Sequence, residues 1–231
     1  MINDTNSQST NHIPPSLVAA VFDVDRTLVP VTTTERIFIW YLLRKRTLAP
    51  GIVARSIGHV LKSLPLPPFE AMRRERAYLR GQSYVEMERL ARHCFEHDIK
   101  RRLSEAGLTA IREHQAQGHA IVLLSGSLDF LLRPLKEYVG ADHLIAARMA
   151  VADGKLTGKI VGNYPFGSYK ASLIQHFAEE HGLDFSQSYA YADHYTDHEL
   201  LRLFGTPVVI NPKPKMQALA RREGWTVKEF R

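Results

Sequence analysis

Two aspartates stand two positions apart at the end of an apolar run, in AVFDVDRTLVP at residues 20–30. A run of this length reads as a buried strand, so Asp23 and Asp25 fall where that strand leaves the interior. Carboxylates this close repel each other unless a cation lies between them. Further along, Ser125-Gly126-Ser127 ends a second apolar run, Lys170 starts a helical stretch, and Asp193 ends a third run with Asp197 four residues on. Several acids at one rim call for a cation, and hard oxygen donors in a phosphate-handling site suit Mg²⁺. Near such an ion, one carboxylate can attack phosphorus to give an aspartyl-phosphate. A second can protonate the leaving oxygen and then take a proton from water. A lysine and a hydroxyl donor can hold the phosphoryl oxygens as charge shifts onto them.

For that chemistry the three runs must end side by side. The pattern predicts a strand over 17–25, then helices over 35–46, 52–64, 69–81 and 84–99, with PLPP at 65–68 as a breaker. A further helical stretch covers 99–117 and stops at Gly118. Next come a strand over 119–127 ending in a small-residue turn, a helix over 128–140, and a hairpin over 143–162 turning at Asp153-Gly154. A helix over 168–182, a strand over 188–193, a short helix over 198–205, a strand over 207–210, a helix over 214–224 and an edge strand over 225–230 complete the chain. Alternation of this kind implies an α/β fold with a doubly wound, mostly parallel sheet. The all-helical block breaks it and reads as a helical cap inserted after the first strand. The expected organisation is a disordered tail at 1–16, an α/β core at 17–33 and 99–231, and a cap at 34–98. Ligands in such sheets bind beyond the carboxyl ends of the strands, where the residues above converge.

With 231 residues, 45% of them hydrophobic, the chain can build one sizeable core. No apolar stretch is long enough to span a membrane. The polar N-terminus and the single cysteine, Cys94, point to a cytoplasmic protein. The net charge of +6 is uneven: residues 41–102 hold 14 Lys and Arg against 6 Asp and Glu. Such a segment can face an anionic small substrate, an anionic surface or a solvated helix face. No series of aromatics interleaves with it to stack bases, which argues against nucleic acid.

DVDRTL, LLSGS, Lys170 and YADHYTD resemble, in order and spacing, the four motifs of the haloacid dehalogenase-like superfamily of phosphohydrolases. GHAIVLLSGSLDFLLRPLKEYVG and VADGKLTGKIVG are similar to its phosphoserine-phosphatase-like branch, which carries a helical cap between the first two motifs. The resemblance implies an Mg²⁺-dependent phosphomonoesterase acting on a small phosphorylated metabolite, with no nucleic-acid or membrane partner, as a monomer or homodimer. It makes Asp23 the nucleophile and a metal ligand. It makes Asp25 the general acid/base, with its backbone carbonyl on the metal. Thr27, Ser125 and Gly126 then serve phosphate binding, with Arg26 as an added cation near the phosphate; Lys170 stabilises charge, Asp193 is a direct metal ligand, and Asp197 is a supporting acid that holds the metal, partly through water or Lys170.

Three positions depart from the branch. Arg26 stands where Gly or Ser is usual, and His194 where a small residue is common. Phosphoserine phosphatases carry a substrate-reading Glu nine residues after the nucleophile, but here that position is Thr32, with Glu35 three residues on. A general small-metabolite phosphatase is therefore favoured over phosphoserine phosphatase specifically, with a phosphotransferase or mutase, or an anionic-surface binding module, as alternatives. Outside the motifs, Phe38, Trp40 and Tyr41 read as cap core. His93 and His97 read as surface or packing histidines rather than a zinc site, while Arg73, Arg74 and Arg76 include solvated residues, with one of them a candidate to read a substrate anion.

Overall fold

The computed structural model describes residues 16–48, 51, 76–162 and 164–230. The expected tail, the helix over 52–64, the PLPP break and most of the helix over 69–81 lie outside these residues.

Seven strands form one sheet: β1 (Ala19–Phe22), β2 (Ala120–Leu128), β3 (His143–Ala152), β4 (Lys155–Val161), β5 (Tyr189–Ala192), β6 (Thr206–Ile210) and β7 (Thr226–Lys228). Their order is β4-β3-β2-β1-β5-β6-β7. Only β3 and β4 pair antiparallel; their hairpin turns at Asp153 and Gly154, both at positive φ. The remaining pairs are parallel. The helices are α1 (Thr34–Arg44), α2 (Tyr84–Cys94), α3 (Glu105–Ala116), α4 (Asp129–Val139), α5 (Ser168–His181), α6 (His198–Leu203) and α7 (Pro214–Glu223).

All four residues of β1 are buried, as a central parallel strand covered on both faces requires. Its side chains alternate between two hydrophobic clusters. Ala20 and Phe22 face one that holds Phe38, Leu42, Met87, Ile111, Phe130 and Leu131, from α1 to α4. Ala19 and Val21 face the other, with Ile174, Phe177, Leu201 and Leu219 from α5, α6 and α7. Helices thus cover both faces, and α1 and α2 share a core with the sheet. Phe22 is in register with Leu123 on β2 and Tyr191 on β5. That register levels the ends of the three strands that carry the acids and the Ser-Gly-Ser run.

Four local expectations are corrected. The stretch over 99–117 is not one helix: a 3₁₀ turn at Lys100–Arg102 ends at Leu103. Ser104 then restarts the chain as the N-cap of α3, its Oγ accepting from Gly107 N at 3.1 Å while its own N–H donates to Leu28 O at 2.9 Å. The end of the helix expected over 69–81 is a 3₁₀ turn, Ala77–Leu79. There Arg76 N donates to Gly158 O and Gly81 N to Leu156 O, so the segment covers the free edge of β4. Strand β2 runs on through Ser125-Gly126-Ser127 to Leu128, with a register shift against β3, instead of turning at Ser125. Trp40 is 59% exposed, whereas Phe38 and Tyr41 are core.

Candidate active site

After β1 the chain closes a tight loop. Arg26 N donates to Val29 O and Val29 N to Val24 O, and Arg26 itself takes a left-handed conformation, φ 69°. The loop turns Asp23 and Asp25 into one cleft of about 320 Å³ that Ser125, Gly126, Lys170, Asp193 and Asp197 also line.

Asp23 is buried and held at both oxygens: Lys170 Nζ donates to Oδ1 at 2.5 Å and Thr27 Oγ1 to Oδ2 at 3.0 Å. Lys170, on the first turn of α5, also donates to Asp197 Oδ2 at 2.9 Å. Burial pushes the Asp23 carboxyl up to about 8; Lys170 pulls it back, and Asp197 and Asp193 push it further up. Asp193, just beyond β5, is raised to about 6, again by burial first and then by Asp197, against Lys170 and Arg26. Although burial opposes its charge, the Asp197 and Asp23 carboxylates hold Lys170 well above the usual ammonium range. One lysine thus sits among three buried carboxylates, and the raised values of Asp23 and Asp193 express burial first and the neighbouring carboxylates second.

Asp25 belongs to a second network. Thr34 N, at the start of α1, donates to Oδ1 at 2.7 Å. Ser127 Oγ donates to Oδ2 at 2.5 Å, and Ser125 Oγ lies 3.4 Å from the same oxygen. Thr34 Oγ1 is 2.9 Å from both Asp25 Oδ1 and Ser127 Oγ. The start of α1 and the hydroxyls fix the orientation of this carboxylate in the cleft.

The structure therefore brings together Asp23, Asp25, Ser125, Gly126, Lys170, Asp193 and Asp197, with Arg26 at the cleft wall and Thr27 beneath Asp23. His194 also lines the cleft, its Nδ1 2.8 Å from Thr196 Oγ1. Ser127 and Thr34 were not singled out by sequence; a second serine in SGS was the available signal. Of the three arginines at 73, 74 and 76, Arg76 is buried and ion-paired through Nε to Glu35. His93 and His97 stack at 3.9 Å, and His93 bonds Tyr41.

A hard divalent cation fits the donor chemistry: the floor carries excess negative charge and presents oxygen. Among the described residues no three His, Cys, Asp or Glu side chains gather closely enough to hold a metal by themselves. Such an ion would draw on Asp23, Asp193, a main-chain carbonyl and water, in keeping with the water that Mg²⁺ retains.

The model of the haloacid dehalogenase-like hydrolase family matches residues 20–202. A probable phosphatase of Mycobacterium tuberculosis is 30% identical over 94% of this chain and 77% of its own. A phosphoserine phosphatase of the same organism is 27% identical over 92% of this chain and 71% of its own. A solved structure of a Bordetella pertussis protein of unknown function superposes with a TM-score of 0.80 at 25% identity, over 94% of this chain and 100% of that one. The chain belongs to the haloacid dehalogenase-like hydrolase family.

Proposed function

We propose that the protein is an Mg²⁺-dependent phosphomonoesterase that cleaves a small phosphorylated metabolite through an aspartyl-phosphate on Asp23. The observation that carries this reading is the grip on Asp23. Lys170 at 2.5 Å and Thr27 at 3.0 Å hold both its oxygens, while Asp25 faces the same cleft from a separate network. The two carboxylates thus reach one cleft from separate networks, as a nucleophile and a proton donor must.

In the first step an Asp23 oxygen attacks phosphorus while the bond to the leaving oxygen breaks and Asp25 delivers a proton to that oxygen. In the second, Asp25 takes a proton from water, whose oxygen attacks phosphorus and releases Asp23 and inorganic phosphate. Lys170 lies against Asp23 and supplies positive charge beside the transferring group. Ser125 and Gly126, with Arg26, hold its oxygens. Asp23, Asp193 and the Asp25 carbonyl would hold an Mg²⁺ ion, which would neutralise charge on the crowded acids and the phosphoryl group. Asp197 positions Lys170.

Residues 34–98 act as a cap that selects the alcohol and excludes water. The protein works in the cytoplasm as a monomer or homodimer, without nucleic acid or membrane. No helix among the described residues is long and apolar enough to cross a bilayer. Phosphoserine is not the favoured substrate: Glu35, the nearest candidate to read its ammonium, is engaged by Arg76 and by Tyr78 Oη at 2.6 Å.

The test is hydrolysis of p-nitrophenyl phosphate with Mg²⁺, followed by a panel of phosphorylated metabolites that includes phosphoserine and histidinol phosphate. Phosphate should appear stoichiometrically with the alcohol and vanish in Asp23→Asn. Transfer to an added alcohol in place of phosphate release would identify a phosphotransferase, and unchanged turnover in Asp23→Asn would remove the nucleophile.

A further inference from the structure

We propose that Tyr164 contacts the substrate on its alcohol side, donating a hydrogen bond to a hydroxyl oxygen on the carbon beside the ester, so that the site favours polyol phosphates. The inference rests on the reading that Asp25 faces the leaving oxygen.

Tyr164 lies in the loop between β4 and α5 and lines the catalytic cleft. The loop crosses directly over Gly126: a Cβ there would meet Tyr164 Oη at 2.9 Å and the Pro165 carbonyl oxygen at 3.2 Å. Gly126 stands between Ser125 and Ser127, the two residues whose hydroxyls reach Asp25 Oδ2. The absence of a side chain at 126 thus admits the phenol to the neighbourhood of the acid. The ring is fixed from two sides. Phe166 stacks on it, with centroids 6.3 Å apart and planes at 16°, and the Arg76 guanidinium sits 5.6 Å over its face.

Arg76 also donates through Nη2 to Tyr164 Oη at 3.3 Å. A phenol that accepts from a cation becomes a stronger donor. Among the described residues its O–H finds no acceptor, so the proton is available to a ligand in the cleft. Arg76 is tied to Glu35, so this wall presents a polar but charge-balanced surface. Such a wall suits a hydroxyl better than a second ionised group, whose charge would have to be desolvated.

The test compares wild type with Tyr164→Phe, which keeps the ring and its packing. Glycerol 1-phosphate, n-propyl phosphate and inorganic phosphate are titrated as inhibitors of p-nitrophenyl phosphate turnover. Wild type should bind glycerol 1-phosphate about five- to tenfold more tightly than n-propyl phosphate, the range of one neutral hydrogen bond. Tyr164→Phe should abolish that preference. Its constants for n-propyl phosphate and inorganic phosphate should stay within about twofold of wild type. A preserved preference overturns the proposal. So does an equal weakening of all three ligands, which would put the hydroxyl on the phosphoryl group. If wild type does not turn over p-nitrophenyl phosphate, the phosphatase reading fails by itself. Thermal-shift titration of the same three ligands against both proteins then decides the Tyr164 contact by the same criterion.

Discussion

The ammonium group of Lys170 touches the carboxylate of Asp23, 147 positions earlier in the chain, at 2.5 Å, and both side chains are buried. The same ammonium reaches Asp197 at 2.9 Å. One cation thus joins the end of β1 to the turn that follows β5, through the first turn of α5, and the site's charge balance is also a folding constraint.

Replacing Lys170 by Met should leave two buried carboxylates facing each other with no cation. Breaking a buried pair on one side typically costs about 3–5 kcal/mol. Protonation relieves the repulsion, so the loss should be larger at pH 8 than at pH 5. Urea midpoints of wild type and Lys170→Met at the two pH values measure this. Equal losses at both would mean that the carboxylates are not the unpaired charges.

Asp193 tests the cation. Its carboxyl is raised by burial and by Asp197, so Asp193→Asn should increase the melting temperature in chelator. Wild type should gain stability with Mg²⁺, by about 2.7 kcal/mol when the ion is at a hundred times its Kd. Asp193→Asn should gain almost none. Matching Mg²⁺ shifts in the two proteins would exclude Asp193 as a ligand.

Arg26 holds a left-handed φ of 69°, which costs a non-glycine residue about 1–2 kcal/mol. Glycine relieves that strain but adds about 0.5–1 kcal/mol of unfolded-state entropy. Arg26→Gly should therefore be as stable as wild type or better, while its KM for p-nitrophenyl phosphate rises several-fold. Thermal melts and Michaelis kinetics on one preparation check both. An unchanged KM would leave the guanidinium without a role at the phosphate.

Much of the fold was legible because parallel strands buried on both faces leave unbroken apolar runs, and three such runs end in Asp23, Ser125 and Asp193. The hairpin was legible because Asp153-Gly154 supplies the two positive φ angles that its turn needs. What was not legible depends on contacts distant in sequence. Ser104 breaks the helix expected over 99–117 by capping α3 and anchoring to Leu28. The Arg76 segment lies along β4 through bonds to Gly158 and Leu156, which no periodicity encodes. Thr34 and Ser127 meet at Asp25 from 93 positions apart. The acids could be read from type and spacing, whereas the hydroxyls and guanidinium that orient the cleft could be read only from the fold.

His114 ties stability to pH away from the cleft. From α3 its buried ring packs on Phe22 of β1 and on Tyr189 and Tyr191 of β5, with Nε2 2.8 Å from the Tyr191 hydroxyl and Nδ1 2.9 Å from His119 Nδ1. Burial, then His119 and Lys228, bring it down to about 4 from an ordinary value of 6.5. Between these values the unfolded chain binds the proton and the folded one does not, so stability falls as pH falls. The contribution is fully present above about 6.5 and is lost progressively toward pH 4, on the order of 3 kcal/mol. His114→Gln keeps a partner for Tyr191 but cannot titrate. It should lose some stability at pH 7 and show a shallower decline on acidification, so that the two proteins' curves converge near pH 4.5. Urea denaturation across that range gives both curves, and parallel slopes would mean that His114 is not held neutral by the fold.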